Sequence, residues 1–177
     1  DAYNPDEKAI QDKNAFNRAV VSHPSGLDIL FAPNRLEQHG YFDMDFIEAV
    51  ISQIRLQQDY DIVIFDTTHE INETTLKTIE MSKNILLVAT QEICTVKDTE
   101  RVIQLFKELD IPMSKVSLLL NKTSHDSMIE IKEIPNYLGI PIKATIPHDY
   151  KTVVSSINQG KPAILGEPTD VMRSLLA

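Results

Sequence analysis

Along this chain, short runs of aliphatic and β-branched residues alternate with stretches whose apolar positions return every three or four residues. That alternation predicts an α/β fold of βα units, with a mostly parallel sheet and helices on both faces. Residues 27–32 (LDILFA) read as a strand, opened by Ser25-Gly26 and closed by Pro33. Residues 45–57 read as a helix: Asp45 and Glu48 form an Asp variant of the capping box, and Phe46, Val50, Ile51 and Ile54 share one face. Residues 61–65 are apolar without alternation, the pattern of a central strand covered on both sides. A helix is expected over 72–82 and a buried strand over 84–89. Thr95 then caps a helix to about Leu109 with Asp98 in its first turn, and a fourth strand spans 116–120. Pro135 sits in the first turn of a short helix that stops before Gly139. A last strand covers 141–146 and is stopped by Pro147, and helices follow over 150–158 and 170–176. Residues 1–22 are polar, with one helix around Phe16, Val20 and Val21, and are the segment most open to fraying.

Composition narrows this picture. A chain of 177 residues, 42% apolar and 24% charged, fits one globular domain, and no repeat or interdomain linker interrupts it. No apolar run reaches membrane-spanning length and no signal peptide opens the chain, so a cytosolic (cytoplasmic) location is the default. A net charge of −9 argues against a broad nucleic-acid surface. The single cysteine, Cys94, excludes an internal disulfide, and the five histidines show no ligand spacing.

The candidate chemistry sits where strands end. In a parallel sheet the C-terminal strand ends open onto the ligand crevice. The run Tyr60-Asp61-Ile62-Val63-Ile64-Phe65 ends in Asp66, and a carboxylate so placed can hold magnesium, directly or through water, beside a nucleotide phosphate. Taken alone, such an Asp is equally read as a loop start. Asn121-Lys122 follows another strand; an amide offers one donor group and one acceptor, which suits a purine edge. An Asn-Lys-x-Asp guanine site would need an acid where Ser124 stands. Thr90-Gln91-Glu92 and Ile146-Pro147-His148-Asp149 also leave strands, and are weak signals singly. The only Gly-Lys pair, Gly160-Lys161, is followed by Pro162 and preceded by no strand, so it reads as a turn and not as a phosphate cradle. Ser155 and Ser156 lack nucleophile-elbow glycines.

Taken in order, residues 23–33 (HPSGLDILFAP), 60–68 (YDIVIFDTT), 85–106 (ILLVATQEICTVKDTERVIQLF), 118–122 (LLLNK) and 138–165 (LGIPIKATIPHDYKTVVSSINQGKPAIL) resemble the MinD/ParA class of deviant P-loop ATPases, especially its pilus-assembly CpaE/TadZ-type branch. The resemblance implies a P-loop NTPase-like sheet, ATP and Mg2+ as cofactors, and a homodimer that sandwiches nucleotide and controls polar localisation or assembly through protein partners. It implies that Asp66 is the magnesium-positioning Walker B acid, that Asn121 reads adenine beside Lys122, that Pro147 and Asp149 line the base, and that Glu92 lies near nucleotide and dimer partner.

The departures are as informative. The family's first strand, its Walker A loop with two lysines and its switch I Asp have no counterpart in 1–177, and are expected about 40 residues upstream in a complete protein. A missing central strand would leave two unpaired edges. Thr67-Thr68 stand where a Pro is common, and the C-terminal DVMRSLLA lacks a basic amphipathic stripe, which makes membrane binding doubtful. Two rivals remain: a degenerate, non-catalytic localisation or scaffold module of the same fold, and a receiver-like phospho-acceptor domain in which Thr90 and Lys122 mimic later Thr and Lys residues. The receiver needs an acidic pair after the first strand, and none follows LDILFA.

Overall fold

The computed structural model describes residues 13–31, 44–57, 60–166 and 169–176, which divide between two compact units, 1–81 and 82–177. In the first unit, α1 (Lys13–Ala19) leads into β1 (Val20–Ser22), which pairs antiparallel with β2 (Asp28–Leu30), Val20 opposite Leu30. Val20 and Val21, expected in a helix, are therefore in a strand. The reason is the turn that follows: His23 N donates to Leu27 O and Gly26 N to His23 O, with Gly26 at φ 86, a conformation glycine adopts without steric cost. Of the expected strand 27–32, residues 28–30 form the ladder, and Ala32 lies outside the described residues.

Helix α2 (Met44–Gln57) buries Phe46 and Val50 against Phe16, with Tyr60 and Ile54 at the margin of the cluster. The helix starts at Met44, so Asp45 lies in its first turn instead of capping it. Glu48 does not close a capping box; its carboxylate meets Lys77 Nζ at 2.7 Å on α3 (Glu73–Met81), and this hydrogen bond raises the lysine's pKa. Asn72 caps α3, its Oδ1 accepting from Thr75 N at 2.9 Å.

Residues 61–65 correct the expectation of a covered central strand. They join no ladder among the described residues, and Ile62 and Ile64 are 79% and 82% exposed. A strand forms only where a neighbour takes its N–H and C=O groups. The segment is anchored at its start, where Tyr60 Oη donates to Asp28 Oδ2 and Ser22 Oγ to Asp28 Oδ1.

The second unit holds a three-stranded parallel sheet in the order β3 (Ile85–Thr90), β4 (Val116–Thr123), β5 (Ile142–Pro147). Crossovers run through α4 (Ile93–Glu108) between β3 and β4, and through α5 (Glu133–Leu138) between β4 and β5. Then come α6 (Tyr150–Gln159) and α7 (Asp170–Leu176), the latter packed on β5. The central strand carries the core: Leu118 and Leu120 are fully buried, with Phe106 and Ile103 of α4, Ile134 of α5, and Val171 and Met172 of α7. Gly139 ends α5 in the left-handed conformation, as the Pro-start, Gly-stop pattern predicts.

Two expectations fail here. Helix α4 begins at Ile93, so Thr95 is not its cap and Asp98 lies beyond its first turn; Thr95 Oγ1 instead accepts from Thr90 Oγ1. β3 is not buried on both faces: Ile85 and Ala89 are covered, but Leu86 and Val88 are 55% and 58% exposed. Among the described residues β3 is also the edge of its sheet.

Candidate functional site

Parallel pairing puts the C-terminal ends of β3, β4 and β5 on one rim of the second unit. The register sets Thr90 beside Asn121 and Thr123 beside Pro147, so the residues expected at strand ends are neighbours across the sheet. The ladder runs further than expected: β4 continues through Thr123, which places Asn121 and Lys122 inside its last turn of pairing. The register shifts between Leu120 and Thr123, and Lys122 takes φ 54, a left-handed backbone that is strained for a residue with a Cβ. Asn121 Oδ1 accepts from Lys122 N at 2.9 Å across this irregularity. Asn121 is half-buried, and its Nδ2 remains as a donor suited to a purine acceptor. Lys122 is exposed.

The β4 and β5 ends are tied together. Thr123 Oγ1 donates to Ile146 O at 3.2 Å, and His148 N donates to Thr123 O at 2.9 Å. Pro147 closes β5, and Asp149 is the N-cap of α6, its Oδ1 accepting from Thr152 N at 3.0 Å and its Oδ2 from Thr152 Oγ1. Those two hydrogen bonds hold its carboxyl below the usual carboxylate range. Asp149 thus shapes the loop with a carboxylate already engaged, and Pro147 and His148 offer the neighbouring surface. An open cleft of about 400 Å³ lies there, between Pro147, His148 and Asp149 on one side and Thr169, Asp170, Val171 and Arg173 on the other. Asn121 does not line it. Glu92, at the α4 N-cap position, makes no capping bond and is exposed.

Gln91 is the residue whose weight the sequence did not reveal. It is buried, and its side chain reaches the loop after β4: Oε1 accepts from Ser124 N at 3.0 Å and Nε2 donates to Ile129 O at 2.5 Å. Its backbone oxygen accepts from Ser127 Oγ at 3.1 Å. Its partners are more than thirty residues away, so no local spacing marks it.

Asp66 belongs to the first unit. It is exposed at the end of the unpaired 61–65 segment, and the loop after it is tied down where Thr68 Oγ1 and Thr75 Oγ1 both donate to Glu70 O. Among the described residues no group of three or more His, Cys, Asp or Glu side chains could hold a metal by itself. One carboxylate suits Mg2+ bound chiefly through phosphate oxygens and water. Gly160 ends α6 at φ 61 and Lys161 N donates to Ser156 O, so Gly160-Lys161 is a helix stop as expected. No described loop joins a strand to a helix with the glycines and lysine of a phosphate cradle.

No family model matches the chain. Its sequence is 26% identical over 167 residues, 92% of the chain, to a MinD-type septum site-determining protein of Mesostigma viride. The chain spans about half the length of the curated relatives it matches, 54% in that case and 47% for MinD of Synechocystis. Its fold matches a ParA family ATPase of Chlorobium tepidum with a TM-score of 0.87 at 20% identity, covering 99% of this chain and 75% of that one. It also matches MinD of Pyrococcus horikoshii complexed with Mg-ADP, with a TM-score of 0.79 at 17% identity, covering 99% and 72%. The chain is thus similar in sequence to MinD-type proteins, and its α/β fold matches the P-loop NTPase-like folds of MinD and ParA family structures.

Proposed function

We propose that this chain is the later part of a MinD/ParA-like ATPase that binds Mg-ATP in its complete form. Asp66 positions magnesium. The rim formed by Asn121, Lys122 and Pro147, with Asp149 holding the last loop in shape, receives the adenine. Glu92 lies near the nucleotide and the partner subunit. The observation that carries this reading is the rim itself: three parallel strand ends tied together by hydrogen bonds between their polar residues and the loops that follow. The phosphate-binding loop is supplied by a segment preceding residue 1. Nucleotide-dependent homodimerisation then controls localisation or assembly through protein partners, in the manner of the CpaE/TadZ branch in pilus assembly. The setting is cytoplasmic, and no described helix is long and apolar enough to cross a membrane.

The chain by itself is expected not to hydrolyse ATP, because little in it stabilises charge on a transferred phosphoryl group. A phosphate-release assay on residues 1–177 checks this; turnover that disappears in Asp66→Ala would mean the catalytic parts are misplaced. For the complete protein, light scattering with and without Mg-ATP is expected to show a monomer become a dimer, and a monomer in both conditions refutes the reading. The absence of a described phosphate cradle favours one second reading, a non-catalytic localisation module. That module would bind its partner regardless of nucleotide and tolerate Asp66→Ala.

A further inference from the structure

The left-handed backbone at Lys122 needs support, because such strain persists only where its surroundings hold it. On the β5 side, Thr123 is held by Ile146 O and His148 N. On the β3 side, the support is Gln91. Its amide spans the next loop from Ser124 N to Ile129 O, and its backbone oxygen takes Ser127 Oγ. The loop is closed on itself by Asp126 N to Ser124 Oγ and Ile129 N to Ser127 Oγ. A glutamine amide suits this place because it has both a donor and an acceptor at the reach required. Gln91 itself is buried, so an unmade bond would leave its own amide without a partner.

We infer that Gln91 is a positioning residue for base recognition: by clamping residues 124–129 it holds the Lys122 turn and so fixes where the Asn121 amide stands. This rests on the nucleotide reading above. It assigns base selectivity to a buried residue that acts through the loop it holds.

The test uses the full-length protein and two variants, Gln91→Met, which removes both side-chain bonds at similar length, and Gln91→Glu, which keeps the acceptor for Ser124 N. ATP and GTP affinities are measured by equilibrium binding, and exchange of the Ser124 amide without nucleotide. In Gln91→Met, ATP affinity is expected to fall about tenfold, the equivalent of one buried hydrogen bond, with GTP affinity little changed. The ATP-to-GTP ratio therefore collapses while Ser124 exchanges faster. Gln91→Glu is expected to lower the ratio as well, because its second oxygen faces Ile129 O and cannot donate to it when ionised, and it serves alone if Gln91→Met does not fold. An unchanged ATP-to-GTP ratio in a folded variant overturns the inference, even if Ser124 exchange quickens, because the clamp is then structural only. A wild-type protein that binds neither nucleotide refutes the nucleotide reading itself and this inference with it; wild type alone decides that outcome.

Discussion

Leu118 and Leu86 lie on neighbouring strands of one sheet and differ in what covers them, so truncating each to alanine reads the state of the sheet directly. Leu118, central in β4, is fully buried, and its truncation should cost about 3 kcal/mol through lost transfer energy and the cavity left behind. Leu86, on edge strand β3, is 55% exposed, so only about half its side chain is removed from water. Full burial of a leucine stabilises by about 2 kcal/mol, which makes the expected cost of Leu86→Ala about 1 kcal/mol. The assay is urea unfolding followed through exchange of the β4 backbone amides, which reports the second unit alone. With a slope of about 2 kcal/mol per molar urea, the midpoints should drop by about 1.5 M for Leu118→Ala and about 0.5 M for Leu86→Ala. Equal drops would refute the reasoning, because they require Leu86 to be as covered in solution as Leu118. A drop for Leu86→Ala that grows with protein concentration would locate that cover in another copy of the chain.

Further outcomes follow from particular groups. Asp149 has a depressed carboxyl pKa through its bonds to Thr152, so its contribution to stability is complete above the ordinary carboxylate value of 3.8 and is lost as pH falls through its lower folded value. Melting curves of wild type and Asp149→Ala should therefore converge below that value, and a gap that persists there contradicts the capping account. Tyr137 Oη donates to Glu100 Oε2, and this bond, with burial and the nearby negative charge, raises the phenol above its ordinary value of 10.0. That contribution is present below the unfolded pKa and disappears as pH rises through the folded one. Ultraviolet titration should show the Tyr137 midpoint fall in Glu100→Gln, and an unmoved midpoint would mean the pair is not formed in solution.

Much of the second unit was legible in the residues. Its strands read as aliphatic runs, Pro135 fell in the first turn of α5 and Gly139 ended it, and Asn121, Pro147 and Asp149 stood out because each run ended near them. Boundaries were less legible. Glu48 looked like a capping partner until the fold brought Lys77 beside it. Thr95 looked like a cap until Thr90 took its hydroxyl. The site was half legible: Asp149 was visible as a residue, but its commitment to Thr152 required the turn to be built.

Local pattern alone determined that this chain alternates strands with helices and where its polar strand ends fall, because side-chain periodicity is imposed by the geometry of each element. Tertiary structure decided the rest. The same aliphatic composition gave Leu118 a place at the centre of a sheet and left Ile62 and Ile64 in water, because burial depends on which neighbour completes the hydrogen-bond ladder. It likewise made Gln91 a clamp by bringing Ser124 and Ile129 within reach, a proximity that no spacing along the chain encodes.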